Sequence, residues 1–176
     1  MASGNNTGWV NPSSVVESDT GSEWFNEANA KTEDGSFAQS TVLNLGDSKN
    51  LEATGYDFSV IPSNAIIKGI EARIKRSASA GTSIRDDNIR LLNAGGGSEN
   101  KRSLTAWPTT LTFANYGGDG DLWNLSYIAV KDVKDSSFGF FLAAENIHST
   151  ISYLAQVDVM QLKVYYNIPA VPNFLL

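Results

Sequence analysis

The sequence predicts an all-β protein, a two-sheet antiparallel β-sandwich of jelly-roll type. Short apolar segments recur along the 176 residues and are separated by turn-rich segments. The 15 glycines, together with many serines, threonines and asparagines, favour turns over long helices. The clearest segments alternate apolar and polar side chains with period two, as strands do when one face is buried. Short strands at this spacing indicate two packed sheets.

The chain divides into three predicted parts. Residues 1–36 are a polar, turn-rich N-terminal arm whose aromatic side chains should anchor it at the edge of the core. Residues 23–30 are compatible with a short helix, although they lack a sustained apolar stripe. Residues 37–167 form the β-sandwich domain, and residues 168–176 form an extended apolar tail.

The strand predictions follow the apolar pattern of residues 37–45, 51–58, 66–75, 84–93, 127–133, 138–144 and 151–167. Gly55 indicates a bulge in the second of these segments. Pro108 cannot donate to a sheet ladder, so residues 103–113 form an edge strand or no strand. In the last segment the inward side chains change from odd to even numbers, which predicts a β-bulge near Val159–Gln161. Residues 138–144 are almost continuously apolar and fit a central buried strand.

The C-terminal tail carries two prolines, which keep it extended, and it ends in Phe174, Leu175 and Leu176. Exposed apolar ends are unfavourable in water. The tail therefore either folds back on its own domain or docks on a neighbouring molecule, and the sequence leaves both alternatives open.

Composition excludes several function classes. The formal net charge is −6 and the sequence pI is about 4.7, so the chain should repel phosphate backbones and not bind nucleic acid. No apolar stretch approaches the roughly 20 residues of a membrane helix, and the N-terminus lacks the pattern of a signal peptide. The sequence has no cysteine, which excludes disulfides, thiolate metal sites and thiol chemistry.

The sequence offers little catalytic machinery. Its one histidine, His148, falls in a predicted turn between two strands, and no serine lies in a nucleophile-elbow pattern. Asp119 and Asp121 flank a glycine in a loop, and Asp86 and Asp87 begin a strand; both pairs are typical of turns and strand ends. We therefore predict no catalytic residue and no cofactor, with calcium at Asp119 and Asp121 as the alternative.

A sugar site is a second alternative, because sandwich domains can bind sugars through exposed aromatic side chains. Large aromatic side chains in a chain of this size mostly belong to the core, and the sequence does not separate the two groups. The aromatic candidates are Trp9, Trp24, Trp107, Trp123, Tyr116, Tyr127 and Tyr153.

The order of several short motifs resembles β-sandwich domains of tailed-phage virion proteins. These motifs encode turns and strand entries across residues 24–166, and they are Trp24–Ala30, Asp34–Ala38, Tyr56–Ile74, Asp132-Val133, Ser137–Phe140, Ala155–Asp158 and Val164–Tyr166. The resemblance implies a non-enzymatic virion component, such as a capsid decoration protein, a head fibre or a tail part. It supplies no catalytic residues. Related sandwiches also occur in sugar-binding and adhesive surface proteins, so the role does not follow from the fold.

We therefore expect a capsid decoration or cement protein at the surface of a virion. Its partner would be the major capsid protein or another virion protein, bound through the arms and the sandwich edge. The contact residues expected are Phe174, Leu175 and Leu176, followed by Trp9 and Val10. A homo-oligomer is expected, a trimer by analogy with decoration proteins on threefold positions. Deleting residues 168–176 should abolish particle binding and leave the domain folded.

Two alternatives belong to other classes. The first is a carbohydrate-binding or adhesive module of a tail fibre or surface protein, for which loss of sugar binding in Trp123→Ala would be the test. The second is a glycosidase or lyase, which would need two close carboxylates in a groove.

Overall fold

The computed structural model describes residues 4–170, and its strands confirm the predicted all-β class. The strands are β1 (Asn5–Asn6), β2 (Ser14–Ser18), β3 (Trp24–Phe25), β4 (Ala38–Val42), β5 (Asn50–Thr54), β6 (Ile66–Ala78), β7 (Ile84–Leu92), β8 (Thr112–Gly117), β9 (Gly139–Asn146) and β10 (Tyr153–Asn167). A 3-10 helix spans Glu27–Lys31, and one turn of α-helix, α1, spans Val130–Val133. None of the helices in residues 4–170 has the length and apolarity needed to cross a membrane.

The strands form two antiparallel sheets with the order of a jelly roll. The first sheet has the order β3-β4-β10-β6-β8, with β1 also paired to β10, and the second has the order β2-β5-β9-β7. From β4 onward, successive strands alternate between the sheets. An irregular segment follows β7 along its edge, with backbone bonds from Lys101 to Ile89 and from Trp107 to Ile84. It occupies the strand position that completes the second sheet before the chain returns to the first as β8.

The core lies between the sheets because the side chains of each strand alternate between its two faces. In β6, Ile70, Ala72 and Ile74 are fully buried, while the charged residues between them lie on the outer face. Most of the central strand β9 is buried, as its apolar sequence predicts, and only Phe141 and Glu145 are partly exposed. Each large apolar side chain buried in this way contributes roughly 1.5–3 kcal/mol to folding.

The predicted bulge in β10 is confirmed and lies slightly earlier than expected, across Val157–Val159. Its extra residue, Asp158, is buried. One carboxylate oxygen accepts bonds from the backbone N–H groups of Asp34 (3.2 Å) and Gly35 (3.0 Å), and the other lies 3.2 Å from Nζ of Lys75. The bulge therefore fastens the N-terminal segment to the outer face of the first sheet.

The N-terminal arm is integrated into the sandwich. Residues 4–36 supply β1, β2, β3 and the 3-10 helix, so they complete both sheets. Val10 exchanges two backbone hydrogen bonds with Leu162, at 2.8 and 3.1 Å.

Three local predictions are corrected by the structure. Residues 127–133 were predicted as a strand, yet Val130 and Val133 lie three residues apart and are buried together on one side of the helical turn α1. Gly55, with φ +71°, follows the end of β5 and does not form a bulge inside it. Strand β8 begins only at Thr112, well after Pro108, and it extends to Gly117 into the segment predicted as a loop.

Candidate functional site

The outer face of the six-stranded sheet carries a group of aromatic, charged and amide side chains, which we call the platform. They come from β6, β8, β10 and the N-terminal segment, and all of them are partly or fully exposed. The platform consists of Trp9, Glu71, Arg73, Phe113, Asn115, Lys163 and Tyr165.

Strand register brings these residues together. In the antiparallel pairs of the sheet, Glu71 lies opposite Lys163, and Arg73 lies opposite Asn115. Alternation along each strand sends these side chains outward, because their neighbours on both sides point into the core. Trp9 joins them because it precedes Val10, which is bonded to Leu162 of β10.

Cations and aromatic rings alternate across the platform. Cζ of Arg73 lies 4.2 Å from the ring centroids of both Trp9 and Phe113. Nζ of Lys163 lies 4.0 Å from the ring of Trp9 and 5.4 Å from the ring of Tyr165. All four distances fall within the range of cation–π attraction. Two cations from neighbouring strands therefore hold the indole of Trp9 over the sheet surface.

Glu71 organises the polar part of the platform. Its Oε2 accepts bonds from Nζ of Lys163 (2.9 Å) and from the hydroxyl of Tyr165 (2.7 Å), and its Oε1 accepts a bond from Nδ2 of Asn115 (3.0 Å). Burial by itself would raise the pKa of Glu71, but the bonds from Lys163 and Tyr165 outweigh burial and leave that pKa lowered. Glu71 is therefore an ionised acceptor at neutral pH.

Arg73 lies between the aromatic rings with its guanidinium fixed at one end. Its Nε donates to Oε1 of Gln161 at 2.6 Å, and Nε2 of Gln161 donates to Oδ1 of Asn11 at 2.6 Å. Burial lowers the pKa of Arg73, although Glu33 and Glu71 act against that change. An arginine remains protonated at neutral pH despite such a shift.

A groove of about 500 Å³ adjoins the platform. It runs between β8 and the irregular segment beside β7, and Phe113 and Asn115 belong to both the groove and the platform. Arg76 lies in its floor, with Nη2 2.9 Å from the hydroxyl of Tyr116 and 3.4 Å from Oδ1 of Asp86. Burial raises the pKa of Tyr116, so this hydroxyl stays protonated and donates to Asp86.

A second group of titratable side chains lies at the second sheet. Carboxylate oxygens of Asp47, Asp87 and Glu145 all lie within 4.8 Å of one another. Arg85 is 2.6 Å from Glu145, and Arg102 is 3.5 Å from Asp87 and 3.6 Å from Glu145. Burial, followed by the neighbouring negative charges, raises the pKa of Asp47. Two of the three carboxylates, Asp87 and Glu145, are therefore members of an ion-pair network.

The predicted contact residues have different positions. Trp9 belongs to the platform, and Val10 is partly buried against the core. Phe174, Leu175 and Leu176 lie outside the described residues, so their predicted role stays a prediction.

The predicted cation ligands, Asp119 and Asp121, lie in the segment that follows β8. Asp119 is exposed in a turn. Asp121 accepts the backbone N–H of Trp123 at 2.8 Å and forms an ion pair with Lys101 at 2.9 Å. His148 lies in the β9–β10 turn, as predicted. Its Nδ1 accepts hydrogen bonds from the backbone N–H groups of Thr150 (3.3 Å) and Ile151 (3.2 Å).

Most of the aromatic sugar candidates belong to the core. Trp24, Trp107, Trp123 and Tyr116 are buried, whereas Tyr127 is exposed. The indole Nε1 of Trp123 donates to the carbonyl of Ile70 at 2.9 Å, so Trp123→Ala would test folding and not sugar binding. Tyr153 is partly exposed and packs edge-on against His148.

Of the seven platform residues, sequence reasoning offered Trp9 as a contact or sugar-binding residue and missed the other six, among them Phe113, Lys163 and Tyr165. The even-numbered inward pattern at the end of β10 already implies that residues 163 and 165 point outward. It could not show that the neighbouring strands place Arg73 and Trp9 beside them.

Comparisons with known proteins identify no family. No family model matches the chain, and no curated protein matches its sequence. Among solved structures, a family two carbohydrate esterase from Cellvibrio japonicus aligns over 98% of this chain and 38% of its own, at 9% identity and a TM-score of 0.36. The chain thus spans well under half of that esterase.

Two other solved structures are similar at the same low level. TmCBM61, in complex with β-1,4-galactotriose, aligns over 89% of this chain and 88% of its own, at 11% identity and a TM-score of 0.41. The enzymatically active domain of tailspike protein 4 from bacteriophage CBA120 aligns over 94% of this chain and 19% of its own, at 12% identity and a TM-score of 0.35. At these scores the likeness carries no functional argument.

Proposed function

We propose that this chain is a non-catalytic glycan-binding module and that the platform is its saccharide-binding surface. The observation that carries the proposal is the pairing of Trp9 and Phe113, both partly exposed, with Glu71, Asn115 and Lys163 on one sheet face. A pyranose ring offers C–H groups that pack on aromatic rings and hydroxyls that bond to fixed polar groups. Aromatic surface combined with a few oriented polar side chains is the usual composition of a small-ligand site.

The chemistry of the platform favours binding over hydrolysis. A glycosidase needs a carboxylic acid with a raised pKa close to its substrate. The platform carboxylate, Glu71, has a lowered pKa and three hydrogen-bonded neighbours. The raised pKa of Asp47 belongs to a residue beside the other sheet, within an arginine-bonded cluster.

Affinity electrophoresis and calorimetry against a panel of soluble polysaccharides test the proposal. Trp9→Ala should weaken binding about five- to thirtyfold, since loss of an aromatic stacking surface removes on the order of 1–2 kcal/mol. Tyr127→Ala is the matched control, because Tyr127 is an exposed aromatic residue outside the platform. Equal binding by both variants, or no binding of any polysaccharide by the wild-type protein, would refute the proposal.

Attachment to a larger assembly, as a capsid decoration protein would require, is a second candidate. One end of the sandwich exposes Leu43 (60%), Leu45 (68%), Ile147 (42%) and Ile151 (49%). The two loops that carry them are joined by a backbone bond from Leu45 to the carbonyl of His148 at 3.1 Å. Exposed apolar groups of this kind commonly mark protein interfaces.

Sedimentation equilibrium tests one form of this second candidate, in which the apolar end joins copies of the chain. If the apolar end joins copies of the chain, the wild-type protein should form an oligomer, and Leu43→Asn should shift it toward monomer. A monomeric wild-type protein over the accessible concentration range would remove the oligomer from the account, and the glycan-binding proposal would be unaffected.

A further inference from the structure

We propose that the platform selects glycans that carry carboxylate groups and that Arg73 binds the carboxylate. This inference rests on the proposed glycan-binding function and names the chemical class of its ligand. It follows from the charge balance of the outer face, from the way the guanidinium is held and from the groups around it.

Arg73 is the platform cation that forms no direct ion pair within the described residues. Lys75 lies 2.7 Å from Glu33, and Lys163 lies 2.9 Å from Glu71. No carboxylate in residues 4–170 lies within 4.0 Å of the Arg73 guanidinium. Glu33 and Glu71 act on the charge of Arg73 only from a distance, and the burial of its guanidinium outweighs them. An anion in direct contact would therefore be stabilised here more than at an exposed lysine.

The Arg73 guanidinium is held ready for such an anion. Gln161 accepts the bond from its Nε, and the rings of Trp9 and Phe113 each lie 4.2 Å from its Cζ. Within residues 4–170 the Nη atoms make no hydrogen bond. The two Nη groups form a planar fork that fits the two oxygens of a carboxylate. Because the side chain is already fixed, little rotamer entropy is lost when the anion binds.

The surroundings of Arg73 favour a sugar acid over a densely sulfated glycan. A uronic acid residue carries one carboxylate on a ring that still offers C–H surface to Trp9 and hydroxyls to Glu71 and Asn115. A densely sulfated chain would bring more than one negative charge per ring against Glu71 and against a chain with a formal net charge of −6. A uronate polymer brings one charge per ring, as a planar carboxylate that fits the two Nη groups of Arg73.

Isothermal titration calorimetry with oligogalacturonate, with its methyl ester and with neutral cello-oligosaccharides tests the inference. Methyl esterification keeps the ring and removes the charge, so wild-type affinity should fall about tenfold or more. Arg73→Gln should produce a similar loss, and so should Arg73→Lys, because lysine keeps the charge but not the planar fork. Lys68→Gln is the matched control, because it makes the same change in net charge at an exposed position on β6.

The outcomes distinguish a failure of the carboxylate inference alone from a failure of the glycan-binding proposal as well. Tight binding of neutral sugars with no preference for the acid form would overturn the carboxylate inference and leave the glycan proposal standing. No binding of any sugar would overturn both. Equal losses in Arg73→Gln and Lys68→Gln would also overturn the inference, because they would indicate a general charge effect. If Arg73→Gln fails to fold by circular dichroism, the comparison of acid and ester on the wild-type protein still decides.

Discussion

The buried ion pair between Asp86 and Arg76 gives the sharpest stability prediction. Asp86 is fully buried, and its oxygens accept bonds from Nε1 of Trp107 (2.8 Å), the hydroxyl of Tyr116 (2.9 Å) and the backbone N–H of Ser103 (2.9 Å). Asp86→Asn keeps the side-chain volume but leaves Arg76 without a negative partner. Breaking a buried pair in this way costs about 3–5 kcal/mol, a third or more of the stability of a typical domain.

A double-mutant cycle tests this reasoning. Arg76→Met should also destabilise, since it leaves the Asp86 charge buried without a cation. The double variant, which carries no buried charge at this site, should lose about 1–2 kcal/mol, less than either single variant. Urea unfolding at pH 7, followed by tryptophan fluorescence and far-UV circular dichroism, gives the three free energies. Additive single costs, or an Asp86→Asn cost below about 1 kcal/mol, would refute the argument.

The remaining predictions concern single sites, each measured by urea unfolding. Leu45 has φ +50°, a left-handed conformation that asparagine adopts more easily than leucine, so Leu45→Asn should raise the free energy of unfolding by about 0.5–1 kcal/mol. Leu43 is similarly exposed and has no positive φ, so Leu43→Asn should not raise it. Equal effects of the two substitutions would exclude backbone strain at Leu45. The pKa of Asp47 is raised, so the folded state favours the protonated carboxyl group over the carboxylate. Asp47 therefore supports folding below its ordinary pKa, and this stabilisation is lost as pH rises through the raised pKa. Asp47→Asn should therefore stabilise at pH 7 and not near pH 3, and a pH-independent effect would contradict this. A Cβ on Gly139 would lie 1.9 Å from the carbonyl oxygen of Ala53. Gly139→Ala should therefore lower the free energy of unfolding by about 2–3 kcal/mol. An unchanged free energy would contradict this prediction and show that β5 shifts easily.

The strands of the sandwich were predictable where apolar and polar side chains alternate clearly with period two. In β6 the alternation of apolar and charged residues identifies both faces of the strand, and in β10 the change of phase reveals the bulge at Asp158. The segment 127–133 is too short to distinguish a period of two from one of 3.6, and the buried pair Val130 and Val133 suits the helical turn.

The platform could not be predicted because it is not a motif. Trp9, Arg73, Phe113 and Lys163 come from four separate parts of the chain, and only strand register makes them neighbours. The alternation in β6 implies that Arg73 faces outward. It could not show that this side chain lies between two rings, because one ring comes from β8 and the other from the irregular segment that precedes Val10.

The central claim, that the platform is a saccharide-binding surface, is tested most directly by the four tryptophan indole N–H resonances. In Trp24, Trp107 and Trp123 the indole is buried and donates to the carbonyl of Lys49, to Asp86 and to the carbonyl of Ile70, whereas the indole of Trp9 lies on the platform. In ¹⁵N-labelled samples titrated with oligogalacturonate and, separately, with neutral cello-oligosaccharides, the Trp9 signal should move in a saturable way with at least one of the two sugars, and the other three signals should stay. Saturable shifts at the buried indoles with none at Trp9, or no shifts with either sugar, would contradict the account.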